Sequence, residues 1–333
     1  MRFAGFYGND ETKALLSGIF GSGRAPHAIL IDGPQGAGKK TLAGIIAAAS
    51  ICEAADSRNG VCDFPCGTCR QCKNAFGGTH PDIMLYGGNG ARSFGVDLVR
   101  TIRTDAYVSP NDARSKVYIL ADIENMTEQA QNALLKILEE PPRTVLFILT
   151  CDARAHLLET VRSRTQPVSV GTIPENEAVR ALMEQCDGIR EDEALRAARI
   201  SGGIVGRAKL ILGAGFSEIS DFSADFTKTL CGTSHYDFLA VSARLEKDSG
   251  LFTAFLDLLP AIMRDAIAVR GGGAASLSGF AQEAAALSHR FSVKKLYKAQ
   301  LTALESQHSA ERNANLTLHL TALFATLWRD THG

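Results

Sequence analysis

Over the first 170 residues, short apolar runs alternate with stretches of helical periodicity. His27-Ala-Ile-Leu-Ile-Asp32 predicts a buried strand running straight into a glycine-rich loop, Gly33-Pro-Gln-Gly-Ala-Gly-Lys39. A helix follows, with Leu42, Ile45, Ile46 and Ala49 on one face. Asp82–Tyr86 and Lys116–Ala121 predict two more strands, and Val96–Tyr107 a helix with Val96, Val99, Ile102 and Arg103 at steps of three and four. The helix over Thr127–Glu140 must stop at Pro141-Pro142, because proline has no amide proton to donate. Thr144–Thr150 predicts a fourth strand, continuously apolar as buried parallel strands are. Such alternation, with right-handed crossovers, predicts a three-layer α/β domain.

Beyond about residue 170 the strand pattern stops. Pro174–Leu212 predicts short helices broken at Ser201-Gly-Gly203, and from Phe216 onward the chain reads as helical, with a turn at Gly271-Gly-Gly273. The last helix, about Asn315–Arg329, carries Leu316, Leu320, Leu323, Phe324 and Leu327 on one face. The fold class expected is therefore α/β plus all-α. It comprises an α/β domain over 1–170, a small helical domain over 171–212 and a helical C-terminal domain over 213–333.

Composition sharpens this picture by exclusion. With 45% apolar and 21% charged residues in 333, the chain is not expected to be disordered, and its length fits two or three domains. Thirty-five Lys and Arg against 36 Asp and Glu leave a formal charge of −1, so any contact with nucleic acid must be local or shared with partners. The longest apolar run, Leu42–Cys52, is 11 residues and contains Gly and Ser, too short for a membrane span. Without a signal-peptide pattern at its start, the chain is expected to be cytoplasmic and to contact no membrane.

Gly33, Gly36, Gly38 and Lys39 fit the G-x-x-x-x-G-K phosphate loop in its required context, after a strand and before a helix. Glycines let amides converge on phosphate oxygens, the helix start adds partial positive charge, and the lysine reaches the outer phosphates. The next position normally offers a hydroxyl to Mg²⁺, but here it is Lys40, whose ammonium repels a cation. Thr41 lies about 100° further around the helix and does not substitute. A hydrolytic site also wants Asp then Glu at the end of the 116–121 strand; Ala121 and Asp122 stand there instead. Without a metal to neutralise the transferring phosphoryl group, hydrolysis in cis is expected to be crippled, while nucleotide binding stays open. A rival register takes Asp122 as metal ligand and Glu124 as base.

Five of the eight cysteines fall within 21 residues. Cys66-Gly-Thr-Cys69-Arg-Gln-Cys72 is C-x₂-C-x₂-C, with a fourth thiolate upstream at Cys62 or Cys52. Four thiolates suit a closed tetrahedral Zn²⁺ site of structural type, with an iron–sulfur cluster or free thiols as the alternatives.

Taken in order, the phosphate loop, the cysteine insertion, Gly78-Thr-His-Pro-Asp82, Asn132-Ala-Leu-Leu-Lys-Ile-Leu-Glu-Glu-Pro-Pro142 and Ser163-Arg164 resemble the bacterial clamp-loader AAA+ family of DNA polymerase III. Asn313-Ala-Asn315 before the last helix suits that family's C-terminal collar. The resemblance implies a RecA-like AAA+ domain with an inserted zinc module over 52–72, a helical lid and a helical collar. The departures at Lys40, Ala121 and Thr150-Cys151-Asp152, together with Gly206 and Arg207 in the lid, resemble the delta-prime type, which keeps the fold without the ATPase. The other type, gamma/tau, is the hydrolysing motor and remains the alternative.

The same resemblance implies that Arg164 reaches into the nucleotide site of a neighbouring motor subunit as an arginine finger, with Thr165 in place of the family's cysteine and Arg162 as the nearest rival. Family register favours Cys52 over Cys62 as the fourth ligand, because it lies thirteen residues after Lys39. Implied partners are gamma/tau-type motor subunits and a delta-type subunit in a hetero-pentamer, with the sliding clamp and primer–template DNA reached through that complex, at the nucleoid. More distant readings are a stand-alone P-loop kinase or ATPase whose zinc module binds nucleic acid, and an interaction protein outside replication. Bland roles are expected for His27 (strand entry), Leu134, Leu135, Ile137 and Leu138 (core), Glu139-Glu140 (interfacial or solvated) and Trp328 (packing).

Overall fold

Five parallel strands, β1 (Ala28–Asp32), β2 (Ile83–Gly87), β3 (Lys116–Ala121), β4 (Val145–Cys151) and β5 (Gln166–Ser169), form one sheet in the order β2-β3-β4-β1-β5. They belong to a computed structural model of the chain that describes residues 1–22, 25–56, 65–87, 95–213, 216–275, 278–310 and 315–333. The chain divides into two compact units, Met1–Thr172 and Ile173–Gly333.

Around the sheet run α1 (Asp10–Gly21), α2 (Lys39–Ile51), α3 (Arg70–Phe76), α4 (Val96–Ala106), α5 (Glu128–Glu139) and α6 (Glu159–Arg162). The apolar runs that predicted strands are apolar at every position because both faces of the sheet are covered. Ala28, Leu30, Tyr118, Leu120, Phe147 and Leu149 pack with Val99 and Ile102 of α4 and Leu134, Ile137 and Leu138 of α5. The alternate residues Ile29, Ile31, Val117, Ile119, Leu146 and Ile148 pack with Leu42, Ile45 and Ile46 of α2. This period-two division of one strand between two cores makes the three layers. The unit is a three-layer α/β domain built on a parallel sheet.

All four expected strands are present. The fifth, β5, went unpredicted because Gln166-Pro-Val-Ser169 is short and has one fully buried apolar side chain, Val168. Among the described residues it pairs only with β1, and an edge strand tolerates its proline. Helix α1 was also missed, since Thr12 and Leu16 alone among its residues are buried. Helix α5 starts where the Thr127 hydroxyl accepts from the Ala130 amide (3.2 Å) and ends before Pro141-Pro142, as expected.

The second unit contains α7 (Glu175–Gln185), α8 (Glu191–Ile200), α9 (Val205–Gly213), α10 (Phe216–Leu230), α11 (His235–Ser242), α12 (Ser249–Arg270), α13 (Ala281–Arg290), α14 (Val293–Ala310) and α15 (Leu316–His332), with no strand among its described residues. Phe226 lies at its centre, with Phe238, Phe255 and Phe324 ring centroids 4.9–5.7 Å away. Trp328 packs as expected, stacked on His332 at 3.7 Å. Among the described residues, no helix is long and apolar enough to cross a membrane.

Candidate functional site

Strand β1 delivers the chain into the phosphate loop at Gly33, whose amide donates to the Cys151 carbonyl at 3.2 Å. A Cβ on Gly33 would lie 2.0 Å from the Val170 carbonyl oxygen, so only glycine fits between β1 and the exit of β5. Gly38 caps α2 in the left-handed region (φ 96°), which turns the chain into the helix at Lys39. The Lys39 side chain is 6% exposed, and its ammonium donates to the carbonyls of Gly33 (2.6 Å) and Pro34 (3.3 Å) and to Asp152 Oδ1 (2.5 Å). Lys40 Nζ lies 3.6 Å from Asp122 Oδ2. Gly36 (φ 82°) completes the loop, and Thr41 is exposed on the outer side of α2.

Ala121 is the last residue of β3, and Asp122 turns out of the strand in the left-handed region (φ 58°). Its amide donates to the Thr150 hydroxyl at 3.1 Å. Glu124 lies in the single turn Ile123–Asn125, where its Oε1 accepts from the Asp152 amide (3.0 Å) and its buried Oε2 has no hydrogen-bond partner among the described residues. Burial pushes the Glu124 carboxyl up, and the nearby Asp152 and Asp122 push it further. Asp122 and Glu124, the pair of the rival register, are thus separately engaged, one with Lys40 and the other with the backbone of Asp152.

Arg164 follows α6 and is one-third exposed. Its guanidinium pairs with Glu139 Oε1 (2.6 Å) at the end of α5 and donates to the Thr160 carbonyl (2.9 Å) and the Ser163 hydroxyl (3.2 Å). In the second unit, Arg207 faces the carboxylate of Asp257 on α12 at 3.8 Å.

The sulfurs of Cys52, Cys66, Cys69 and Cys72 all lie within 4.8 Å of one another. A tetrahedral Zn²⁺ with bonds near 2.3 Å needs sulfur–sulfur edges of about 3.8 Å, and Cys66 and Cys72 are 3.9 Å apart. Amides of Cys66, Cys69 and Cys72 donate to the sulfurs of Cys52 (3.4 Å), Cys66 (3.3 Å) and Cys69 (3.4 Å), an arrangement that favours thiolates. The Thr68 hydroxyl and the Cys69 amide hold the Cys66 thiol down at about 6, whereas burial pushes Cys52 and Cys72 up. The four residues fit a metal ion that would tie the end of α2 to α3 and leave no coordination position for chemistry. Cys62 lies outside the described residues, as does Asn313.

The Gly78–Asp82 segment fastens this module to the sheet. His80 accepts from the Asp82 amide at Nδ1 (3.0 Å), so Nε2 carries the proton donated to Gln71 Oε1 (2.6 Å), and burial holds the ring pKa below its ordinary value. The fully buried Asp82 carboxylate accepts from the amides of Asn111 (2.6 Å), Asp112 (2.7 Å) and Ala113 (2.8 Å) and from Asn111 Nδ2 (3.1 Å). Arg70 and Gln71 of α3 in turn bond Asp112, through its carboxylate (2.5 Å) and its carbonyl (3.1 Å).

Residues 8–174, which carry the phosphate loop, the cysteine module and Arg164, match the family described as DNA polymerase III, delta subunit. The chain belongs to this clamp-loader family. It is 32% identical over 209 residues to the delta-prime subunit of Escherichia coli, a match covering 62% of this chain and 60% of that one. The delta-prime subunit of Yersinia pestis is 37% identical over 150 residues, 45% of this chain and 43% of its own. The gamma/tau subunit of Mycobacterium tuberculosis is 33% identical over 196 residues, 58% of this chain and 33% of its own. The chain thus spans between a third and three fifths of the length of these curated relatives.

Two contacts in this clamp-loader chain carry no sequence signal of their own. Asp152 meets Lys39 from 113 residues away, and Glu139, read as interfacial or solvated, meets Arg164. The first follows from topology, because β1 and β4 are adjacent with Asp32 opposite Cys151, which brings the next residue to the loop. No comparable pattern announces the second.

Proposed function

We propose that this chain is a delta-prime-type subunit of the DNA polymerase III clamp loader, a stator-like AAA+ protein that supplies Arg164 to the nucleotide site of a neighbouring motor subunit. Its own phosphate loop keeps its shape but does not hydrolyse ATP. The observation that carries the reading is the Lys40–Asp122 ion pair (3.6 Å). A hydrolysing loop puts a hydroxyl at the Lys40 position and a carboxylate at the Ala121 position on Mg²⁺; here an ammonium paired with the neighbouring Asp122 fills the first and a methyl the second, leaving that ion no favourable place. The Arg207 guanidinium, next to the lid position where a motor carries its arginine, faces Asp257. Arg164, just beyond the short α6, is one-third exposed and paired with the half-exposed Glu139, and its forked, permanent charge suits a developing γ-phosphate.

In this reading, residues 171–212 form a lid and 213–333 a collar through which the chain joins motor-type and delta-type subunits. The cysteine cluster holds a structural Zn²⁺, and DNA is met through backbone phosphates within the assembly. The work is done in the cytoplasm, at the nucleoid.

Reconstitution with a gamma/tau-type motor tests this. Arg164→Ala is expected to lower the ATPase stimulated by clamp and DNA, and equal rates for wild type and variant would remove the finger role. The gamma/tau relatives support a second reading, a hydrolysing motor. Purified chain that turns over ATP, with the activity lost in Lys39→Ala, would favour that reading.

A further inference from the structure

We propose that Asp152 is a resident counter-anion of the phosphate loop: its carboxylate stands on Lys39 where a nucleotide phosphate would, and it keeps the loop of the free chain shut to nucleotide. A lysine ammonium has three donors. Those of Lys39 go to Gly33 O, Pro34 O and Asp152 Oδ1, and its near-complete burial leaves little room for a fourth partner. A phosphate can bond this ammonium only by displacing one of these three, and it competes with the carboxylate for the same charge.

Asp152 is held there by the fold. The β1–β4 register sets the residue after Cys151 beside the loop, and Glu124 Oε1 fixes the Asp152 amide at 3.0 Å. On the other side of the loop, Asp122 matches Lys40. The two ammonium groups that would attract a polyphosphate are therefore neutralised from within, and an entering phosphate meets the charges of both aspartates. The cradle itself is intact, with Gly33 and Gly38 in the conformations the loop needs. Removing the Asp152 charge should open it to the polyphosphate of a nucleotide, without Mg²⁺.

This inference rests on the reading of the loop as non-hydrolysing, and the two can fail separately. The test is a titration of the full chain with a fluorescent ATP analogue in EDTA, using wild type, Asp152→Asn, Asp152→Ala and the double variant Asp152→Ala/Lys39→Ala. The near-isosteric Asn variant guards against misfolding, and circular dichroism checks all four proteins. Both single variants are expected to bind on the order of tenfold tighter than wild type or better, the scale of one charge-assisted hydrogen bond. The double variant should lose that gain. Bound nucleotide should also raise the melting temperature of Asp152→Ala more than that of wild type. Equal affinity across wild type and single variants, or no binding by either single variant, overturns the counter-anion role. Motor-like hydrolysis by Asp152→Asn with Mg²⁺ would instead overturn the non-hydrolysing reading while leaving the counter-anion in place.

Discussion

Arg164 and Glu139 form an ion pair of 2.6 Å between the segment after α6 and the last turn of α5. One side of the guanidinium is taken by the carboxylate, and Nη1 is taken by the Thr160 carbonyl and the Ser163 hydroxyl. The pair also places a cation at a helix C-terminus, where the exposed carbonyls favour it. Its partners are 33% and 48% exposed, so solvent screens the attraction. The pair contributes about 0–1 kcal/mol to folding, as exposed pairs do.

A weak contribution to folding and the catalytic role proposed for Arg164 make a separable prediction. Arg164→Lys keeps the charge but loses the fork that the proposed finger needs. Its urea midpoint should stay close to wild type, while the stimulated ATPase of the reconstituted complex should fall with that of Arg164→Ala. At the site it serves, the loss should be roughly tenfold or more. Full activity in the Lys variant would mean that charge alone suffices and that the forked geometry has no role.

Asp82 makes the opposite case, a residue whose effect lies in stability. Burial pushes its carboxyl up, but the amides of Asn111, Ala113 and Asp112 and the Asn111 side chain more than offset this, and the net pKa is below the ordinary carboxylate value. A depressed folded pKa means that the unfolded chain binds more protons as acid is added. The stabilisation is therefore complete above the unfolded value of about 4 and is lost as pH falls through the folded one. Asp82→Asn turns an amide NH₂ toward N–H donors and should cost about 2–4 kcal/mol at neutral pH. In urea melts, the gap between wild type and variant should narrow below about pH 4; a gap that stays constant into acid would show that the carboxylate charge is not what holds this corner.

The contrast explains what the sequence discloses. Strands β1, β3 and β4 are visible because burial on two faces makes every position apolar, and α5 is visible because its proline stop is a covalent fact. Strand β5 offers little beyond Val168, and its place comes from pairing with β1. The phosphate loop is legible because its glycines and lysine must be contiguous. Its counter-charges are not, since Asp152 and Asp122 reach it through the strand order and a left-handed turn. Cys66, Cys69 and Cys72 are legible by spacing, whereas Cys52 needed the family register and is joined to them by the fold. Gly78–Asp82 was visible as a motif, but its work as a clamp on Asn111–Ala113 is a matter of contacts some 30 residues away.

That clamp shapes what metal removal should do. Cys52 ends α2 and Cys72 lies in α3, and both pack with Ala49 in a small apolar cluster. The sheet has its own cores on both faces, and among the described residues it shares no strand with this module. Stripping the metal should loosen Cys66–Phe76 first, while Gln71 and Arg70 keep a partial hold on Asp112. Hydrogen exchange should then rise over that segment and stay low in β1 and β4, the signature of local rather than global opening. Released metal, read with a colorimetric chelator, should amount to one zinc per chain. Cys72→Ser should abolish it, and Cys186→Ser, in the other unit, should not. The lost binding free energy is on the order of 10 kcal/mol in isolated zinc modules, and here it should act mainly on the local opening. Exchange that rises equally through β1 and β4 would make the metal a support of the whole domain, and a zinc content unchanged by Cys72→Ser would remove Cys72 from the ligand set.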